Sequence, residues 1–358
     1  MMRGRRRVTT QRGVALLAAM LTVTLVATFA AAALWQQWRA VEVETAERAR
    51  MQASWVLIGA IDWSRLILRE DGRISGATSG TDNLGEPWAV PLEEARLTSF
   101  LAADKNVSSD ALEGLPEAFL SGRIVDAQSK LNVLNLVDGG KPSQAGVAAF
   151  TKLFSMLGLP PQELAAMTAS LQRALPVQQT ITNTTTTTTT TTGAATSTST
   201  ETTSTQRTNA TAPSADAPLL PQQVSQLVWL GLSSATVTAL EPYVTVLPVR
   251  TPININTAGP EVLYASMPKL DMAGAQRVVA LRARGAFRSF NAMTDAVPNA
   301  EIVDGQQSIA TDYFEIVGKL RLDRTWVEER SLVRRSGTDV TILWRERGAG
   351  TTIPAQQQ

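Results

Sequence analysis

The sequence predicts an α+β chain, and three stretches carry the prediction. No proline interrupts the run from Val14 to Pro87, and apolar residues recur through it at roughly helical spacing. The middle of the chain reads as short helices broken by Gly and Pro. The last part, "DYFEIVGKLRLDRTWVEERSLVRRSGTDVTILWRER", alternates apolar and polar residues as strands do. Helices first and strands last favour α+β.

The first helix begins with a basic leader. Arg3, Arg5, Arg6, Arg7 and Arg12 crowd it, and no acidic residue occurs before Glu42. From Val14 to Trp38 there is no charge, a run of about 25 residues where roughly 20 suffice to cross a bilayer. It is too long for a signal-peptide core, and no A-x-A site with polar flanks closes it. The basic side should stay cytoplasmic, leaving everything after about Arg39 across the membrane. The helical pattern continues through Trp35, Trp38, Val41, Met51, Trp55, Ile58 and Ile61, so one helix is expected to reach about Arg69.

Composition narrows the chemistry. The 358 residues, with net charge +1 and 44% hydrophobic residues, suffice for two or three modest domains beyond the anchor. Cysteine and histidine are both absent. No Ser-His-Asp or Cys-His nucleophile and no Cys or His zinc site can be built from such a chain. Carboxylates, Lys, Ser and Thr are the catalytic candidates left, and an enzyme is a poor first reading.

The remaining elements follow in order. "EDGRISGATSGTDNLGEPWAVPLEEARL" reads as a solvated connector. Its Asp71, Asp82 and Glu86 fit no EF-hand spacing, and Trp88 is expected to dock onto the long helix. "SGRIVDAQSKLNVLNL" offers strand-like apolar positions at Ile124, Val125, Leu131, Val133, Leu134 and Leu136, with Asp126 and Asn132 as turn formers. Two helices flank "GLPP", Pro161 opening the second. The stretch "TNTTTTTTTTTGAATSTSTETTSTQRTNATAPSADAP", with threonine at every position from Thr184 to Thr192, lacks apolar anchors, and roughly Gln178–Pro218 reads as a disordered insertion. A helical pattern resumes before "RTPININTA". In the tail, strands are expected around Phe314–Leu320, Trp326–Val333 and Val340–Trp344, the last two joined by a turn at Ser336–Asp339.

"ININTAGPEVLYASMPKLDMAGAQRVVALRARGAFRSF" resembles a helix-hairpin-helix unit, with Thr257 capping a helix from about Pro260 and a second helix over Ala275–Arg284. Arg277, Arg282, Arg284 and Arg288 suit a phosphate backbone. The hairpin "PKLDMAG" nevertheless lacks Gly-x-Gly, and Asp271 puts a negative charge where phosphate would sit. Glu261, Asp295, Glu301, Asp304, Asp312 and Glu315 deny the region a strongly basic face.

A basic leader, a glycine and then a long half-apolar helix resemble the type IV prepilin-like proteins. In order along the chain, "QRG" with "VALLAAML", "EPWA", "GRIVDAQSKLNVLNL" and "ININTAGPEVL" resemble the K-type minor pseudopilins of bacterial type II secretion. The resemblance implies cleavage by prepilin peptidase between Gly13 and Val14 and N-methylation of Val14. Most pilins carry a glutamate at the fifth mature position; here it is Ala18. Without that acid the chain cannot pair with a neighbouring subunit's α-amine, which suits the first subunit of a filament.

The implied fold is α+β: a pilin fold, a long N-terminal helix on a small antiparallel sheet, with a large inserted helical domain of two sterile-alpha-motif-like, helix-hairpin-helix subdomains. The implied organisation is a cleaved leader at 1–13, a membrane segment at 14–38, and spine helix with early pilin domain at 39–135. A first helical subdomain follows at 136–248, carrying the Thr-rich insertion 178–218, and a second at 249–303. Late strands fill 311–347 and a flexible tail 348–358. The implied role is a cap on the tip of the pseudopilus, with no catalysis. Expected partners are I-type and J-type minor pseudopilins, other pseudopilins, prepilin peptidase, the inner-membrane assembly platform and secreted substrates. The resemblance places the chain in the inner membrane with its C-terminal domain in the periplasm. Some family members bind calcium in the inserted domain. Here threonines replace the acidic stretch expected after the first helix pair, so no metal ligand is assigned, Asp126 and Asp138 being the carboxylates to consider. The competing reading is a membrane-tethered DNA-binding protein of a competence-like pilus.

Overall fold

The computed structural model describes residues 12–78, 80–97, 118–175, 177–185, 203–211, 216–322 and 325–351. The chain forms two compact units, Met1–Gly59 and Ala60–Gln358. In the first, helix α1 (Arg12–Thr78) begins, and every residue from Val14 to Trp38 stands exposed. Its backbone is satisfied within the helix, so the exposed apolar surface asks for an apolar surrounding. Among the described residues this is the one helix long and apolar enough to cross a membrane. The leader residues 1–11 lie outside the described residues.

The second unit is built on five antiparallel strands: β1 (Leu92–Arg96), β2 (Ala118–Asp126), β3 (Tyr313–Leu322), β4 (Thr325–Ser336) and β5 (Asp339–Thr351). They lie side by side in chain order. β2 and β3 are neighbours although the whole helical domain separates them in sequence, with Phe314 opposite Asp126 and Leu322 opposite Ala118. The expected turn holds: Ser336 faces Asp339, and Gly337 supplies the left-handed residue at φ +61°.

Alternation gives the sheet two buried faces. Ile124, Phe314, Ile316, Val333 and Val340 cluster with Ile61 and Leu68 of α1 and with Trp88. Burial of each such aliphatic or Phe side chain is worth about 1.5–3 kcal/mol. Trp88 meets Phe314 edge-on, ring centres 5.1 Å apart, so the "EPWA" segment does dock on the helix–sheet layer. On the opposite face Tyr313, Leu332 and Trp344 pack with Leu247 of the helical domain.

α1 continues nine residues past the predicted Arg69, to Thr78. Its end runs against the β4–β5 turn: a Cβ on Gly72 would stand 2.4 Å from the Gly337 carbonyl oxygen. Arg65 adds a tether, its Nη2 donating to the Val340 carbonyl at 2.7 Å. Edge strand β1, whose "LEEAR" lacks alternation, was not legible as a strand.

The helical domain holds α2 (Gln144–Leu157), α3 (Pro161–Ala174), α4 (Ser234–Leu240), α5 (Pro260–Ser266), α6 (Met272–Arg282) and α7 (Phe290–Ala296). Gly158 at φ +66° ends α2 and Pro161 begins α3, as expected. One hydrophobic core runs from Leu131 to Ala300, through both stretches 136–248 and 249–303. Leu131, Val133, Leu134 and Leu136 belong to this core and, contrary to the strand expectation, sit in a two-residue bridge and a 3₁₀ turn (Val133–Leu136). β5 carries the sheet past Arg347 to Thr351, so the flexible tail expected at 348–358 is corrected there; 352–358 lies outside the described residues.

The disorder expected for 178–218 is corrected over two stretches. Val177–Thr185 pairs antiparallel with Thr203–Thr211, and residues 186–202 and 212–215 lie outside the described residues. Threonine is β-branched and favours extended backbone, so two facing runs can satisfy a ladder without apolar anchors. Among the described residues these two strands pair only with each other. Replacing 178–211 by a short Gly-Ser linker should therefore leave the melting temperature within about 2 °C, measured by differential scanning fluorimetry. Gly72→Ala should instead cost about 1–3 kcal/mol, because only backbone can give way.

Candidate functional site: the junction between sheet and inserted helices

The polar residues of the motifs converge where the sheet meets the helical domain. Asp71 on α1 and Asp82 in the following loop share one partner, Arg335 of β4. Arg335 Nη1 donates to Asp71 Oδ2 at 2.5 Å, while Nη2 donates to Asp82 Oδ1 and, at 3.1 Å, to the Thr311 carbonyl. All three side chains are at least nine-tenths buried, so this pair of ion contacts is far from solvent screening. The expectation of a solvated connector is thus overturned: Asp71, Asp82 and Glu86 bring carboxylate oxygens within 4.8 Å of one another. Sequence reasoning missed this because Arg335 lies on the last strand pair, far along the chain. Arg335 pairs with Asp71 and Asp82 and so offsets one of the three carboxylate charges.

Asp82 also ties the loop to the helical domain. Its Oδ2 accepts from Thr311 N at 2.7 Å, and its carbonyl accepts from Asn254 Nδ2 at 2.9 Å. The same amide donates to Asp126 Oδ2 at 3.0 Å, and Thr257 Oγ1 donates to that oxygen at 2.6 Å. Thr257 therefore does not cap the helix as expected; Gly259 occupies that position before Pro260. Asp126 Oδ1 takes Gln128 N at 2.7 Å. Burial pushes the Asp126 carboxyl up to about 6, against the hydrogen bonds from Thr257, Thr311, Gln128 and Asn254 that favour its charge.

Asn132 and Asn135 work the same way. Asn132 Nδ2 donates to the Val249 carbonyl at 2.7 Å, and its Oδ1 accepts from Leu247 N at 3.2 Å. Asn135 exchanges two bonds with the Thr251 backbone, at 2.7 and 3.1 Å. Asn256 does so with Phe287, at 3.0 and 2.9 Å. Each amide imitates one rung of a β-ladder between segments that share no strand. Asp126 and Asn132 do begin 3₁₀ turns, as predicted of turn formers, but their side chains also clasp distant backbone. Gln128 completes the set, donating to the Pro252 carbonyl at 2.9 Å and accepting from Asp312 N at 2.8 Å.

The hairpin that resembles a DNA reader has its backbone groups taken up by side chains of the chain itself. Asp271 caps α6, accepting from Gly274 N at 2.7 Å, so α6 starts at Met272 and the expected Ala275–Arg284 is shifted. That carboxylate takes the N–H a phosphate would need. Lys152 of α2 donates to the hairpin carbonyls of Met267 at 2.8 Å and Leu270 at 3.2 Å. Arg282 donates to the carbonyls of Ile255 and Ala258, at 2.8 and 2.6 Å, and so serves the fold. Arg277, Arg284 and Arg288 remain on the surface. The DNA-binding reading loses its geometry here.

Of the other predicted residues, Gly13, Val14 and Ala18 lie in the first turns of α1, with Val14 and Ala18 exposed. Asp138 is exposed and pairs with Arg250 at 2.5 Å. Asp126→Asn places an N–H against the Thr257, Asn254 or Gln128 donors. It should destabilise the chain by about 1–3 kcal/mol, read as a fall in urea midpoint at pH 7.5; an unchanged midpoint would contradict the geometry.

Comparison with known proteins agrees with this architecture. Two family models, both described as type II secretion system protein K, match residues 129–249 and 253–312, about half the chain together. The chain is 27% identical over 346 residues to type II secretion system protein K of Pseudomonas aeruginosa, covering 95% of this chain and 94% of that protein. It also shares its fold with a chain in the crystal structure of the GspK-GspI-GspJ complex of the enterotoxigenic Escherichia coli type 2 secretion system. There the TM-score is 0.53 with 18% identity, over 85% of this chain and 98% of that one. The anchor helix, the strand pair split by a helical domain and the two family matches within that domain thus have one explanation: the chain belongs to the type II secretion system protein K family, the K-type minor pseudopilins.

Proposed function

We propose that the chain caps the tip of a type II secretion pseudopilus and acts in its initiation, and so in export of folded proteins across the outer membrane. The observation that carries this reading is the helical domain inserted between neighbouring strands β2 and β3 and fixed there by buried polar contacts. A subunit with such a rigid addition accepts neighbours on one side and obstructs further addition on the other. Ala18 supports the same end position, because it offers no carboxylate to a following subunit's α-amine.

In this reading prepilin peptidase cuts between Gly13 and Val14, and Val14 is then methylated. The anchor lies in the inner membrane with the leader cytoplasmic and the second unit periplasmic, before passing into the pseudopilus. Partners are the I-type and J-type minor pseudopilins, as in the Escherichia coli complex, followed by other pseudopilins, the assembly platform and secreted substrates. No catalytic role is proposed. Calcium has no assigned ligand in this reading: Asp126 accepts hydrogen bonds from Gln128, Asn254 and Thr257, and Asp138 pairs with Arg250.

Size-exclusion light scattering of residues 39–358 with the I-type and J-type proteins of the same cell tests the cap. A stable ternary complex is expected; none at tens of micromolar would refute the tip assignment. Gly13→Leu should leave an uncleaved precursor on immunoblots and abolish secretion, whereas normal processing would remove the leader assignment.

A further inference from the structure

The cluster around Arg335 is short of positive charge. Three carboxylates, Asp71, Asp82 and Glu86, lie with their oxygens within 4.8 Å, and Arg335 gives its two Nη groups to Asp71 and Asp82. Among the described residues Glu86 receives neutral donors: Trp88 Nε1 on Oε2 at 2.6 Å and Asn83 Nδ2 on Oε1 at 2.7 Å. The charged groups facing it are Asp71 from α1, Asp82 from its own loop and Arg335 from β4, and they leave an excess of negative charge. A like-charged group in that position is most cheaply neutralised by a proton.

We propose that Glu86 is a proton-binding latch: one proton, shared with the neighbouring Asp71 and Asp82 carboxylates, fastens the Asp82–Trp88 loop onto α1 and β4. A protonated Glu86 donates to one of those carboxylates while its other oxygen still accepts from the loop. An ionised Glu86 repels both, and the strain falls on the loop that carries Trp88 into the helix–sheet layer and Asp82 to Asn254. The latch thereby links proton activity outside the membrane to the same junction that holds the helical domain.

Burial pushes the Glu86 carboxyl from 4.5 up to about 7; the Asp71 and Asp82 charges add to this, and the Trp88 and Asn83 hydrogen bonds oppose it. The folded chain thus keeps a proton that the unfolded chain has already released above 4.5. The contribution of this proton to stability is full at low pH and is lost as pH rises through about 7.

The test compares the full chain in detergent with its Glu86→Gln variant, which cannot ionise; its amide N–H meets the Trp88 or Asn83 donor, an offset that does not change with pH. Melting temperatures are taken from pH 5 to pH 8. The variant should gain on the parent as pH rises, by roughly 4 °C across the range. Infrared difference spectra at pH 6 should show a protonated-carboxyl band in the parent that Glu86→Gln removes. Parallel melting curves for the two proteins, or a parent without that band, would overturn the latch. Because Asp126 also holds a proton near pH 6, the band is assigned to Glu86 by its loss in Glu86→Gln and its persistence in Asp126→Asn.

Discussion

The guanidinium of Arg335 is the constraint on which the second unit depends. It leaves the last strand pair and reaches two buried carboxylates, one on the end of α1 and one on the loop behind it. A buried ion pair adds little net stability over an apolar packing of the same volume, yet breaking one side of it is costly. Its value here is geometric. With Arg335 in place, α1 cannot slide along the sheet, Gly72 stays against the Gly337 carbonyl, and Asp82 is positioned to hold Asn254 and Thr311.

From that point the contacts pass through side-chain amides to the helical domain. Asn132, Asn135, Asn254 and Asn256 all bond backbone or carboxylate far away in sequence, and all are almost wholly buried. Buried backbone groups outside regular elements must find partners, and a planar amide with one donor and one acceptor end supplies both. Strings such as "LNVLN" and "ININTA" are therefore the hardware that joins a pilin sheet to an insertion. The apolar core alone would leave the insertion free to pivot on its two connections to β2 and β3.

Much of this architecture was legible because its signals are local. Periodicity marked α1 and the three late strands, Gly158 and Pro161 marked the α2–α3 break, and the uncharged run marked the anchor. The errors share another cause. Asp71, Asp82 and Glu86 looked like a solvated loop because Arg335 is more than two hundred residues away. Thr257 looked like a helix cap because Asp126, its actual partner, comes from another element. Edge strand β1 has no apolar alternation to read, and the facing threonine-rich strands carry too few apolar residues, Val177, Ile181 and Ala210, to make a pattern. Tertiary partners decided each of these positions.

Substitution at Arg335 tests the central claim most directly, read as unfolding free energy of the full chain at pH 7.5. The account predicts that Arg335→Met alone costs about 3–5 kcal/mol, because it strands two buried carboxylates. Adding Asp71→Asn and Asp82→Asn should recover more than half of that loss. A single Arg335→Met variant within about 1 kcal/mol of the parent, the figure for an exposed ion pair, would contradict the account. The junction would then be held by its apolar contacts, with the polar clasp incidental.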